Sequence, residues 1–289
     1  MQRRLILAGL LALAAVATAA RTQPPAPVAI EFPSAGSVVR GRFFPTAATD
    51  PIATVLLLPG WGFNPTDVLG LGQLLSVRDV SVMIFTPRGT RQSEGTFTYA
   101  NTLDDVAAAL GWLRGPDARR RFRVDPARLA LGGHSFGGGV AMAYAARDSS
   151  VRRVISLAGA DHGEYARMVR RDGNYATALR ERLAGARAPE GPVRFEVEAL
   201  IREVLDHEVA YGHQENAPRL SDRAILLLGA WDDTETRLET MVLPMYRALK
   251  REPTSDVAII VYPDDHSFGK SRERLASDIR EWLVRHPPQ

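Results

Sequence analysis

The pentapeptide Gly133-His134-Ser135-Phe136-Gly137 holds the most chemically legible residues of this 289-residue chain. It reads G-x-S-x-G. An apolar run, Arg128-Leu-Ala-Leu-Gly-Gly133, precedes it, and a small-residue, helix-compatible run from Gly137 to Arg147 follows. A serine on a strand-to-helix turn exposes its hydroxyl, and the helix that follows offers free N–H groups to an oxyanion. A hydroxyl is a weak nucleophile at neutral pH, so it needs a histidine base and a carboxylate to hold that base. Two later strand-like runs end in such groups, Leu226-Leu-Leu-Gly229-Ala-Trp-Asp232-Asp233 and Val261-Tyr-Pro-Asp-Asp-His266. Ligands gather at the carboxyl ends of strands in a doubly wound sheet. Ser135, a carboxylate of the 232–233 pair and His266 are therefore the candidate constellation. Without such partners Ser135 would be no more than a helix cap. His134 is read as packing behind the turn, and Asp264 and Asp265 as loop caps or an acidic rim.

The elements that must position these groups are written in the hydrophobic pattern. Unbroken apolar runs at 53–58, 80–85, 129–131, 154–157, 224–228 and 257–261 suit strands buried on both faces, as in a parallel sheet. Helical periodicity lies between them, clearest over Thr102 to Leu113, with further candidates at 241–249 and 275–283. Strand and helix alternate, which predicts an α/β fold with a doubly wound, mostly parallel sheet. Val28 to Phe44 reads as two strands around Pro33-Ser-Ala-Gly36. The long interval between the strands at 154 and 224 exceeds what a crossover needs. It predicts a helical cap insertion at about 160–220, with helix-like stretches at 165–183 and 193–211.

In these features the chain resembles the α/β-hydrolase superfamily, from about Glu31 to the C-terminus apart from the cap. The order Ser135, Asp232, His266 is that family's nucleophile–acid–base order. Pro59-Gly60-Trp61-Gly62 is similar to its turn after the first long strand. Pro87-Arg88-Gly89-Thr-Arg-Gln-Ser93-Glu-Gly95 resembles its R-G-x-G-x-S-x-G loop, with Arg91 in place of a glycine. Val124-Asp125-Pro126 before the nucleophile strand resembles the dienelactone-hydrolase and prolyl-oligopeptidase-like branches. The Pro-Gly-aromatic turn resembles cutinase-like polyesterases. The resemblance implies Ser135 as nucleophile, His266 as base and Asp232 as the acid, because Asp232 follows Gly229 at the G-x-x-D spacing; Asp233 is the alternative. It implies an oxyanion hole from the backbone N–H groups of Trp61 and Phe136. Gly62, Phe63, Trp231 and Phe268 are candidates for the substrate pocket, beside Trp61 and Phe136.

Composition bounds the rest. Charged residues make up 24% of the chain, which is that of a globular domain. The 36 basic residues outnumber the 33 acidic ones by three, and all but Lys250 and Lys270 are arginines. The surplus is spread along the chain, so no nucleic-acid footprint is expected. The densest basic run, Arg119 to Arg123, reads as a solvated loop. Arg3 and Arg4, the apolar run to Ala17 and the A-x-A pattern at Ala17-Thr18-Ala19 read as a secretory signal over 1–19. That run is short for a bilayer span of about 20 residues, so no stable membrane span is expected after cleavage. Residues 20–30 read as a Pro-rich leader and 31–289 as the hydrolase domain. With no cysteine, there is no disulfide, thiol nucleophile, thiolate metal site or lipid-anchored cysteine. His207-Glu208 and His213 lack the H-E-x-x-H spacing, so no metal is expected, and no nucleotide loop or other cofactor motif appears.

The resulting expectation is a periplasmic or secreted bacterial serine hydrolase cleaving small-molecule or polymeric carboxylic esters through an acyl-enzyme, without cofactor or metal. A peptidase or amidase with the same triad is the alternative, and a non-catalytic binding protein on the same scaffold is the rival from another class.

Overall fold

The apolar runs become six parallel strands of one sheet; five are inner strands, and the last, 257–261, lies at the edge and is only partly buried, not buried on both faces as expected. The computed structural model describes residues 25–287. The expected signal segment 1–19 and residues 20–24 of the expected leader lie outside them. The leader ends sooner than expected, because residues 28–30 already pair in the first strand.

Eight strands form the sheet: β1 (Val28–Ser34), β2 (Ser37–Phe44), β3 (Ala53–Leu58), β4 (Val80–Thr86), β5 (Leu129–His134), β6 (Arg153–Leu157), β7 (Ala224–Ala230) and β8 (Asp256–Tyr262). Their spatial order is β1-β2-β4-β3-β5-β6-β7-β8. β1 and β2 form an antiparallel hairpin, and β2 runs antiparallel to β4; every other pairing is parallel. Composition follows position. β3 and β4 are buried at every residue, whereas β1 alternates exposed and buried, as a strand with one wet face must. β5, which leads into the Ser135 turn, is central.

Helices cover both faces. α1 (Leu71–Ser76) and α11 (Arg272–Arg285) lie on one side. α2 (Tyr99–Arg114), α3 (Pro116–Phe122), α4 (Phe136–Arg147) and α10 (Leu243–Arg251) lie on the other. The basic run expected as a loop is largely helix α3. Pro116 opens it, and Phe122 is buried under the Arg121 guanidinium, which sits 4.9 Å from its ring centre.

Between β6 and β7 the chain forms α5 (His162–Arg171), α6 (Gly173–Ala186), α7 (Val197–Asp206), α8 (Glu208–Tyr211) and α9 (Ala217–Leu220). The stretch at 165–183 is thus two helices. Asp172 separates them, its carboxylate accepting the N–H groups of Asn174 and Tyr175 as the cap of α6. The residues joining α6 to α7 are tied to the loop after β4. Arg91 N–H donates to Pro192, Arg194 N–H to Gly89 and Phe97 N–H to Arg194. On the other side, the Glu203 carboxylate of α7 accepts the N–H groups of Tyr99 and Ala100 at the start of α2. An anion there satisfies two donors that a helix start leaves free.

Candidate active site

Ser135 sits between β5 and α4 with φ 54° and ψ −118°, a conformation costly for a residue with a Cβ. Its surroundings enforce it. Ser135 N–H donates to Leu157, and its carbonyl accepts from Gly139 and Ala160. The turn is so tight that a Cβ on Gly133 would lie 2.2 Å from the Gly137 backbone, and one on Gly137 2.5 Å from the Leu58 carbonyl. Only glycine fits at either position.

His266 lies on the loop after β8. Its Nδ1 is 2.8 Å from Asp233 Oδ2, so Nδ1–H donates to the carboxylate and leaves Nε2 free to act as a base. The carboxylate paired with His266 is therefore Asp233, not the Asp232 expected from spacing. Pairing between the β7 and β8 chains continues beyond Ala230, through Trp231 N–H to Tyr262 and Asp232 N–H to Asp264. The chain turns inward one residue later than the spacing implies. Asp232 is left exposed and Asp233 is 5% exposed. Asp233 Oδ1 accepts from Glu235 and Thr236 N–H, and Oδ2 also accepts from Thr236 Oγ1. Burial alone would raise this carboxyl, but the hydrogen bonds from His266 and Thr236 outweigh it and hold it at about 2. Asp233 is thus a carboxylate at neutral pH.

His134 backs this pair. Its Nε2 is 2.9 Å from the His266 carbonyl, to which it donates, and the two rings are 4.7 Å apart. Burial, then the neighbouring His266, push His134 down to about 4, so it is a neutral donor. Asp264 and Asp265 act as loop caps: Asp264 accepts from Asp265 and Lys270 N–H, and Asp265 from Ser267 N–H and Oγ.

The residues expected to supply oxyanion donors lie beside Ser135. Phe136 opens α4 immediately after Ser135. The Gly60 backbone lies against Ser135, since a Cβ on Gly60 would come within 3.2 Å of Ser135 Cβ. The next residues form a turn closed by Phe63 N–H on the Gly60 carbonyl, with Gly62 at φ 94°. Among the described residues, neither Trp61 N–H nor Phe136 N–H has a protein acceptor. Arg91 emerges as part of this site. Its Nε and Nη2 donate to the Gly62 carbonyl at 2.9 and 2.6 Å, clamping the turn from outside. Its φ of 48° is the conformation a glycine takes without cost.

Two spaces meet at Ser135. One is an apolar cavity of about 110 Å³ enclosed by the cap; its walls include Val169, Leu183, Leu200, Val204 and Leu205, and its floor Trp61 and Phe136. The other is an open, more polar cleft that includes Asn64, Asp67, His134, Glu235 and His266. None of the four expected pocket residues lines either space. Phe63 and Phe268 are fully buried, Trp231 is 60% exposed and Gly62 is engaged by Arg91. Phe63 packs with Trp61 and Phe97, and Phe268 with Tyr262, so these rings build the floor beneath the site. His162 and Tyr99 line the cavity instead, with Tyr99 Oη 3.1 Å from His162 Nδ1. Burial, followed by the nearby His213, pushes His162 down to about 3, so this part of the cavity wall is uncharged. Among the described residues, no group of three or more His, Asp or Glu side chains is arranged to hold a metal, and no helix is long and apolar enough to cross a membrane.

Known proteins share this fold. Over 106 residues the chain is 36% identical to the uncharacterized protein YfhR of Salmonella typhimurium, covering 36% of this chain and 35% of that protein. The matched part thus spans about a third of that curated relative. Among solved structures, the alpha/beta hydrolase GrgF of Penicillium sp. sh18 superposes with a TM-score of 0.66 at 19% identity, over 91% of this chain and 99% of that one. The ferulic-acid complex of Est1E from Butyrivibrio proteoclasticus gives 0.62 at 13%, over 89% and 98%. The Pyrococcus furiosus esterase Pf2001 gives 0.62 at 16%, over 90% and 92%. Residues 55–288 match the model of the alpha/beta hydrolase family, and this chain belongs to that family.

Proposed function

We propose that this protein is a serine hydrolase that cleaves carboxylic esters with a neutral, medium-length or monoaryl acyl group. The observation that carries the reading is the Asp233–His266 pair, whose His266 shares a cleft with the strained Ser135 where that cleft meets an apolar cavity. In the reaction, His266 Nε2 takes the Ser135 proton as the hydroxyl attacks the acyl carbonyl. Asp233 holds the imidazole in the required tautomer and stabilises the imidazolium. The N–H groups of Trp61 and Phe136 receive the oxyanion, each contributing about 3 kcal/mol to the transition state. His266 then returns the proton to the leaving alcohol, and water repeats the sequence on the acyl-enzyme.

The acyl preference follows from the cavity. About 110 Å³ holds on the order of eight to ten water-sized groups, and its walls are aliphatic. The ferulic-acid complex of Est1E, a structural neighbour, supports an acyl group of similar bulk. The test is labelling by a fluorophosphonate probe together with turnover of p-nitrophenyl esters. Labelling is expected at Ser135 and is lost in Ser135→Ala. Asp233→Asn is expected to lower kcat by about 10⁴-fold, as a reversed histidine tautomer does, whereas Asp232→Asn stays within about threefold of wild type. Unlabelled Ser135 in folded protein, or the reverse ranking of the two aspartates, overturns the assignment.

A further inference from the structure

Trp61, Ser135 and Arg182 line both the apolar cavity and the open cleft. Two of these are the proposed nucleophile and the residue of a proposed oxyanion donor. The third, from α6 of the cap, is the one lysine or arginine lining either space among the described residues. Where the two spaces join is where the scissile ester must sit, so Arg182 stands at the reacting end of the substrate.

Arg182 is weakly engaged. Its hydrogen bond to Glu235, from Nη2 to Oε2 at 3.3 Å, is its single one among the described residues. The two side chains are 55% and 48% exposed, and an exposed pair of this kind is worth little. The other donors of a rigid guanidinium fork are free, and such a fork matches a carboxylate in shape and charge. Glu235 stands across from it, 4.0 Å from His266 Nε2, and Asp67 lies in the same cleft. These carboxylates disfavour a dianion such as a phosphate monoester. A planar monoanion takes the place of Glu235 on the fork and keeps Arg182 paired, while the half-exposed Glu235 turns to water.

We propose that Arg182 is a specificity residue that selects esters carrying a carboxylate on the alcohol side, close to the ester oxygen. The substrates are then O-acyl hydroxy acids. The acyl chain enters the apolar cavity, which apart from Arg182 at its mouth offers no charged partner, and the alcohol part lies in the polar cleft with its carboxylate on Arg182. Hydrolysis releases a fatty or aryl acid and a hydroxy acid. The inference rests on the ester-hydrolase reading above.

The test compares two near-isosteric substrates, O-octanoylglycolate and O-octanoylglycolamide. The wild-type protein is expected to favour the glycolate in kcat/KM by about tenfold or more, the scale of charge-assisted hydrogen bonds. Arg182→Gln is expected to bring that ratio to about one, Arg182→Lys to leave it between, and Glu235→Gln to widen it by removing the competing carboxylate. Thermal melts of the variants check that each is folded. A wild-type ratio of one or below, or a ratio that survives Arg182→Gln, overturns the assignment of Arg182 while leaving the hydrolase intact. No turnover of either ester together with no probe labelling at Ser135 overturns the hydrolase reading, and this one with it.

Discussion

At the scale of single residues, the site depends on side chains that brace the reacting groups. Arg91 shows this. A non-glycine residue at φ 48° costs on the order of 1–2 kcal/mol, and the strain is set against a two-point clamp on the Gly62 carbonyl. Arg91→Gly removes both. Its melting temperature is expected within about 2 °C of wild type, since relieved strain offsets the lost bonds and the looser unfolded chain. Its kcat/KM is expected to fall about tenfold, because the Trp61 turn loses its brace. Parallel melts and p-nitrophenyl kinetics check the split; a fall in stability without a fall in rate contradicts it. The sequence made Arg91 visible as a departure from a glycine pattern, but its bond to Gly62 spans the gap between two loops and has no local signature. The same limit applied to the acid. Asp232 and Asp233 are chemically alike, and what separates them is where pairing with β8 stops, a property of two strands together.

At the scale of elements, the reacting groups and the cavity come from different parts of the chain. Ser135, Asp233 and His266 follow β5, β7 and β8, strands whose apolar runs were plain in the sequence. The cavity walls come from α5, α6 and α7, whose apolar residues repeat at helical spacing whether they face a core or a ligand. Aromatic residues near the strand ends therefore looked more like a pocket than Val204 or Leu205 did, yet Phe63 and Phe268 are packed beneath the site. The cavity's size makes this separation testable. Val204→Phe is expected to fill part of it, lowering kcat/KM on p-nitrophenyl octanoate about tenfold while p-nitrophenyl acetate stays within about threefold. Loss of a few methylenes' worth of pocket is of that magnitude. Equal losses on both esters would place Val204 outside the acyl path.

At the scale of the whole molecule, buried neutral histidines link stability to pH. His134 is held at about 4 and His162 at about 3, in each case chiefly by burial. Both lie below the unfolded value of about 6.5, so the unfolded chain binds more protons in acid. The stability they carry is complete above pH of about 6.5, is lost progressively below it, and the loss ends once the pH has passed about 4 for His134 and about 3 for His162. By pH 4.5 each is expected to cost about 2–3 kcal/mol. Urea unfolding midpoints at pH 7.5 and 4.5 measure the loss, and His162→Gln should reduce it; equal midpoints contradict neutral burial. Alternation of strand and helix was enough to foresee the sheet, but its spatial order arises from crossovers that connect distant segments and leave no mark in local periodicity. The fixed attachment of the cap, by Arg194 and Pro192 on one side and Glu203 on the other, sets one contiguous stretch of chain as the enclosure of groups that other segments supply. On the proposed function, substitutions confined to that stretch between β6 and β7 would retune which acids are released while the atoms that release them stay in place.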